Sequence, residues 1–392
     1  MYLILYIMAI SALCLVQLKP AGTCIRGTAA RRDYNILAYS KGTKKVKILR
    51  YMLIFVPITF VGEFLHWTPT LMFVLTALAI IPLAALMGEA TEEISFYSGP
   101  KIGGFLNATF GNATELIISF FALKAGLFEV VKASIAGSVI GNILLVLGLS
   151  MIFGGIKYKS QHFNQKVIDN SASMLLFAVI GLTIPAIFMH TLDPALLSTR
   201  YEGLSVIVAV IMIIIYILSL VFSFYTHKDI YSVDHSQESS PKWSIKKAIA
   251  VLVGATVLIG LESEFLVSAV EPMSEAIGLS EFFVGIILIP IIGNAAEHST
   301  AIVMAMKNKM DVAVEIAIGS SLQIILFVTP VLIFLSLLFT PMSIVFNEFE
   351  LVALVFSVLI ANRVATDGES NWMEGVQLLA VYLIIAVAFF VL

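Results

Sequence analysis

Two glutamates, Glu115 and Glu297, lie in stretches otherwise as apolar as a bilayer interior, each three residues after an asparagine and four after a glycine. Gly111-Asn112-Ala113-Thr114-Glu115 recurs as Gly293-Asn294-Ala295-Ala296-Glu297, an offset of 182 residues, and Gly137-Ser138 recurs at the same offset as Gly319-Ser320. Two motifs on consecutive apolar stretches, repeated in one register, make chance a poor explanation. A carboxylate at bilayer depth costs at least ~2.5–3.5 kcal/mol unless it is paired, neutralised or facing water. Neither stretch contains a Lys or Arg, so the compensating charge must be a proton or a bound cation. The i, i+3 spacing puts Asn112 and Glu115 on one helical face, with Ser119 a turn further on, and Asn294 with Glu297 repeats that face. Each Gly-Asn pair is also a weak point, where a kink would release backbone carbonyls toward an ion. A shell of carboxylate, amide, hydroxyl and carbonyl oxygens suits Ca²⁺ ahead of Mn²⁺ and Mg²⁺. The two cysteines, Cys14 and Cys24, lie far from these motifs, which argues against copper or zinc. Two carboxylates with one divalent ion sum to zero charge, and so do two carboxylates with two protons. Competition between metal and protons at Glu115 and Glu297, and hence exchange of one for the other, is the expected chemistry.

The residues around the pair each admit two roles. Asn112 and Asn294 either ligate the ion or bridge helices. Ser138, Ser320 and Gln323 either line the site or bond back to their own helices. His298 follows Glu297 and points about 100° away around the helix, which suits a supporting or proton-path role as well as it suits packing. Glu89, Glu92 and Glu93 read either as solvated loop charges or as an acidic funnel, and Glu264 as a proton relay or an interhelical hydrogen-bond partner.

These residues need membrane-spanning elements to position them. The chain is 59% hydrophobic and 12% charged, with a mean hydropathy of +1.00, which excludes a water-soluble fold and leaves no room for a separate catalytic domain. Apolar runs long enough to cross ~30 Å of hydrocarbon predict eleven spans, near 52–66, 70–87, 102–123, 133–154, 172–190, 204–224, 246–268, 281–305, 312–338, 345–362 and 373–391. The expected fold class is therefore an all-α polytopic membrane protein. With residue 50 in the cytoplasm, nineteen of the 22 Lys and Arg that follow Lys19 fall in cytoplasmic loops and only Lys124, Lys132 and Arg200 fall outside, which predicts that orientation. In it the spans of Glu115 and Glu297 run in opposite directions, so the repeats are expected to be inverted, with the site near the midplane at their interface. The expected organisation is a basic extension over 1–50, a first helix and first repeat over 51–225, a cytoplasmic linker over 226–245 and a second, inverted repeat over 246–392. Residues 1–18 form another apolar run, read either as a signal anchor or extra span, or as the product of a start site placed too far upstream. Nucleic-acid binding has no support; the expected partners are Ca²⁺, H⁺ and the lipid bilayer, and a homo-oligomer is left open.

The segments GNATELIIS at 111–119, GSVIGN at 137–142 and GNAAEHSTAIVMAMKNKMDVAVEIAIGSSLQI at 293–324 closely resemble the calcium/proton antiporters of the cation/proton exchanger family, within the calcium/cation antiporter superfamily. The resemblance spans roughly residues 51–392. It implies a first helix followed by two inverted five-helix repeats, with Glu115 and Glu297 as the principal calcium and proton sites. It further implies Asn112, Asn294, Ser138, Ser320, Gln323 and His298 around them, and Glu92 and Glu264 on recurrent acidic positions. The chain departs from the family twice. Where many members carry an acidic helix between the repeats, residues 226–242 hold only Asp229, Asp234 and Glu238, mixed with His227, Lys228, His235 and Lys242, and the 1–50 extension has no counterpart. The resemblance implies a multi-pass protein, taken to lie in the plasma membrane, that is not an enzyme and uses no cofactor beyond its transported ions. The main rival is a sodium/calcium or other divalent cation exchanger, which would need further oxygen ligands in the fourth and ninth spans. Asn142 maps by the 182 offset onto Ile324, so one such ligand is missing.

Overall fold

The computed structural model describes residues 49–189, 197–227 and 241–392. The expectations for residues 1–48 and for most of the 226–245 linker fall outside the described residues. From Phe55 to Leu392 the chain packs as one helical unit, as it must where lipid offers no partner for backbone N–H and C=O groups. Helix α1 (Phe55–Phe64) buries only the stripe Val56, Thr59 and Gly62. It is followed by α2 (Pro69–Phe110), bent at Gly99, whose φ of 81° suits glycine and which precedes Pro100. Gly111 and Asn112 interrupt the chain before α3 (Ala113–Lys124). Then come α4 (Phe128–Lys157), α5 (Gln165–Met189), α6 (Leu197–Val221) and α7 (Ile245–Ser268). The remainder is α8 (Val270–Ile277), α9 (Glu281–Gly293), α10 (Ala295–Met306), α11 (Met310–Ser336), α12 (Glu348–Val364) and α13 (Trp372–Val391). A two-residue antiparallel ladder, Gln161↔Ser370 and His162↔Glu369, ties the α4–α5 connection to the α12–α13 connection.

Every expected span coincides with helix, but not one for one. Among the described residues seven helices are long and apolar enough to cross a membrane unaided, with an eighth if α8 and α9, bent by 117°, count as one broken span. The expected spans at 102–123 and 281–305 are each split, at Gly111-Asn112 and at Asn294, because the Gly-Asn motifs break the helix where the sequence is weakest. The most enclosed element is α4, where residues Ala133–Met151 are nearly all buried; α5, α6, α7 and α13 instead turn Ile184, Ile187, Ile214, Val257 and Val387 outward, as a lipid-facing surface requires. Helix α4 crosses α9 so closely that a Cβ on Gly137 would lie 1.9 Å from the carbonyl oxygen of Ile286, so only glycine fits there. Directly after the two Gly-Ser motifs, α4 over Gly141–Val146 and α11 over Ile324–Val328 loosen into π-helical turns, a feature frequent at functional sites.

Candidate cation site

The two helix breaks meet side by side. Asn112 (φ −102°, ψ 18°) and Asn294 (φ −92°, ψ 4°) leave helical geometry at equivalent places, and each begins the helix that carries the following glutamate. The glutamates are exchanged between the breaks. A Cβ on Gly293 would lie 2.7 Å from Glu115 Oε1, and one on Gly111 would lie 3.2 Å from Glu297 Oε1, so each carboxylate rests against the glycine of the opposite motif. A side chain at either position would push the opposite carboxylate out of its seat.

The hydrogen bonds cross in the same reciprocal way. Asn294 Nδ2 donates to Ser138 Oγ (3.2 Å), and Ser320 Oγ donates to Asn112 Oδ1 (2.8 Å), so each asparagine is held by the serine of the other half. Asn112 Nδ2 also donates to Gln323 Oε1 (2.5 Å). Asn142 Nδ2 donates to Ser320 Oγ (3.1 Å), and its Oδ1 lies 3.0 Å from His298 Nε2. An amide oxygen only accepts, so the proton of that contact sits on Nε2. His298 therefore braces Asn142, while Ser138, Ser320 and Gln323 face the asparagines across helices rather than only their own backbones.

What this framework leaves open is a set of oxygens. Glu115 Oε1 and Oε2, Glu297 Oε2 and Asn294 Oδ1 are buried acceptors with no hydrogen-bond partner. Unsatisfied buried acceptors are costly singly, and four of them converging from two breaks suit a hard cation or protons. A small cavity beside Glu115 is lined by Glu115, Ser119, Ser134, Ser138 and Pro290, with the Ser119 and Ser134 hydroxyls 3.3 Å apart. Glu115 is buried, whereas Glu297 is half-buried as a residue. Among the described residues no three His, Cys, Asp or Glu side chains gather in one place.

The accessory acids are not drawn in. Glu92 is exposed near the end of the first limb of α2, and Glu264 is an exposed side chain 3.7 Å from Lys124. Glu93, beside Glu92, is instead a structural anchor: its Oε2 accepts from the backbone amides of Lys242 (2.8 Å) and Trp243 (2.9 Å), fastening the chain just before α7. Two roles are not foreseen from sequence, which names Asn142 only as a polar position of the fourth span and does not single out Glu262. Asn142 connects His298 to Ser320, and its signal is its place at the end of GSVIGN; Glu262, not Glu264, is the enclosed acid of α7, for which sequence offers no signal beyond its presence in an apolar run.

The family described as sodium/calcium exchanger protein matches residues 68–225 and 247–391. A Ca(2+)/H(+) antiporter of Aphanothece halophytica is 48% identical over 355 residues, covering 86% of this chain and 95% of that one. A Ca(2+)/H(+) antiporter of Bacillus subtilis (strain 168) is 47% identical over 343 residues, covering 86% and 97%. The solved structure of native YfkE is 44% identical with a TM-score of 0.76, covering 88% of this chain and 99% of that one. With the family match running through both Gly-Asn-x-x-Glu motifs and relatives aligned over nearly their whole length, the chain belongs to the sodium/calcium exchanger protein family.

Proposed function

We propose that this chain is a secondary active antiporter that exchanges Ca²⁺ for H⁺ by alternating access, with Glu115 and Glu297 binding either the metal or protons. The observation that carries this is the reciprocal seating of two carboxylates, each at a helix break and against the opposite glycine, with buried oxygens left unpartnered. Asn294 Oδ1 completes the metal shell, and Asn112, both ends of whose amide are engaged, offers its remaining lone pair and holds Gln323 and Ser320 in place. The printed names of the bacterial relatives support the same ion pair. Residues 51–225 and 246–392 act as two inverted units about this site, and Ca²⁺ is cargo, so no resident cofactor and no covalent step are required. The excess of basic residues in one set of loops supports a cytoplasmic start for α1, with the plasma membrane as location.

Calcium flux in proteoliposomes under an imposed pH gradient, with and without a sodium gradient, tests the proposal. Uptake driven by the pH gradient and indifferent to sodium is expected. Uptake that follows sodium and ignores pH would establish sodium/calcium exchange instead.

A further inference from the structure

Away from the cation site, two glutamates have no exposed surface among the described residues: Glu350 closes the cap of α12, where its Oε2 accepts from the Asn347 backbone amide (2.8 Å), and the other lies between helices. Glu262 on α7 has no exposed surface. Its Oε1 lies 2.6 Å from Thr59 Oγ1 on α1, and its Oε2 is buried without a hydrogen-bond partner. The same Thr59 hydroxyl lies 2.6 Å from the carbonyl oxygen of Val56. Both distances belong to O–H···O hydrogen bonds. Three oxygens joined by two such bonds need two protons. The Val56 carbonyl carries none, and a hydroxyl has one to give. The second proton must therefore sit on Glu262; without it, two sets of lone pairs would face each other at 2.6 Å. The chain of donors then runs from the Glu262 carboxyl through the Thr59 hydroxyl to the Val56 carbonyl.

The surroundings agree, because an ionised carboxylate here would be an unpaired charge away from water. On the elements packed against Glu262, Glu63 of α1 and Glu271 and Glu275 of α8 are exposed, and Glu264 is occupied with Lys124. Glu89, Glu92 and Glu93 lie well toward the other end of α2, and Lys246 and Lys247 lie four turns away at the start of α7. Gly260 faces Phe121, and Glu264 faces Lys124, so Glu262 sits level with the end of α3. That is about two turns from Glu115, or ~11 Å along the axis at 1.5 Å per residue. The Phe60 and Phe265 rings, 5.4 Å apart at 80°, close the same α1–α7 contact one residue to one side of Thr59.

We propose that Glu262 is a proton-binding site of its own, separate from the Glu115–Glu297 pair, whose proton, donated to Thr59, fastens α1 to α7. Infrared spectroscopy of purified protein at neutral pH tests this, comparing the Glu115→Gln/Glu297→Gln variant with the same variant carrying Glu262→Gln. The difference spectrum is expected to show the loss of one protonated carboxyl C=O stretch. Thr59→Val in the double-variant background should shift that stretch to higher frequency, since the carboxyl loses its acceptor, and this arm decides alone if the triple variant does not insert. Loss of a carboxylate stretch on adding Glu262→Gln, or a C=O band unmoved by Thr59→Val, overturns the assignment. Neither spectrum depends on which cation is carried, so failure here leaves the exchange reading standing.

Discussion

At Glu115, Glu297 and Asn294 Oδ1 buried oxygens remain without partners, while the amide nitrogens, the serines and His298 around them are engaged with one another. Replacing either glutamate by glutamine keeps its volume and removes its negative charge and its proton site. Glu115→Gln and Glu297→Gln are each expected to abolish proton-coupled calcium flux, with unchanged elution as a folded protein on size exclusion; near-normal flux in either variant would refute the two-carboxylate mechanism. Competition at the same oxygens also fixes the sign of the pH dependence. A protonated carboxyl cannot ligate Ca²⁺, so apparent affinity falls as pH falls, by up to about two decades per pH unit where both protons must leave for one ion to bind. Calcium binding to purified protein titrated against pH measures this, and affinity indifferent to pH would move the coupling to another residue. The pair was legible in the sequence because a repeated motif with an acid in an apolar run has few explanations. The acid of α7 was not. Glu262 and Glu264 are two residues apart and thus about 200° apart around the helix, and hydropathy does not record which face α1 covers; the structure turns Glu262 to Thr59 and Glu264 to Lys124. Likewise Asn142 has no polar counterpart in the second half, since Ile324 stands at its repeat position, so its role appears only once α4 is laid against α10 and α11.

At the scale of helices the two halves have matching parts in different settings. Gly137 of α4 is pressed onto Ile286 of α9, whereas Gly319, at the equivalent place on α11, has no atom within 4 Å of where its Cβ would stand. The same asymmetry appears in the burial of Glu115 and the partial exposure of Glu297. In the two-repeat proposal the opposite-facing state interchanges these settings and brings Gly319 against the backbone of Gly104, which the 182 offset pairs with Ile286. Gly137→Ala should thus lower thermal stability in the present state, overpacking costing about 1–3 kcal/mol or more. Gly319→Ala should leave melting temperature and calcium binding intact yet stop exchange, because it obstructs only the other state. Normal exchange by Gly319→Ala would remove the interchange from consideration. The breaks that set up this asymmetry were readable from the Gly-Asn pairs, since glycine and asparagine are weak helix formers in any environment. The bend between α8 and α9, the π-turns and the small ladder at Gln161 were not, because they are set by how neighbouring helices cross rather than by local propensity.

For the molecule as a whole, eleven apolar stretches were plain from hydropathy, but which of them form unbroken spans was decided by glycine, proline and packing: among the described residues seven helices suffice by themselves, and the two Gly-Asn-x-x-Glu motifs occupy broken ones. That division has a functional consequence. The lipid-facing helices carry Ile, Val and Phe outward, while the stretches 102–123 and 281–305 that bear the two carboxylates contain no Lys or Arg. A site emptied of both Ca²⁺ and protons is a buried dianion, and at ~2.5–3.5 kcal/mol for each uncompensated charge it costs about 5–7 kcal/mol relative to a neutralised one. Since 1.36 kcal/mol is tenfold in rate, passage of the empty site between the two faces should be slower by roughly four to five orders of magnitude, whereas the Ca²⁺-loaded and doubly protonated forms are both neutral and free to pass. Exchange is then obligatory. Proteoliposomes loaded with labelled calcium and diluted into calcium-free medium at alkaline pH should release it slowly, and either acidification outside or added external Ca²⁺ should accelerate release steeply. Release at the same rate in all three media would mean that the unloaded site crosses freely, and charge balance at Glu115 and Glu297 could not be what couples the two ions.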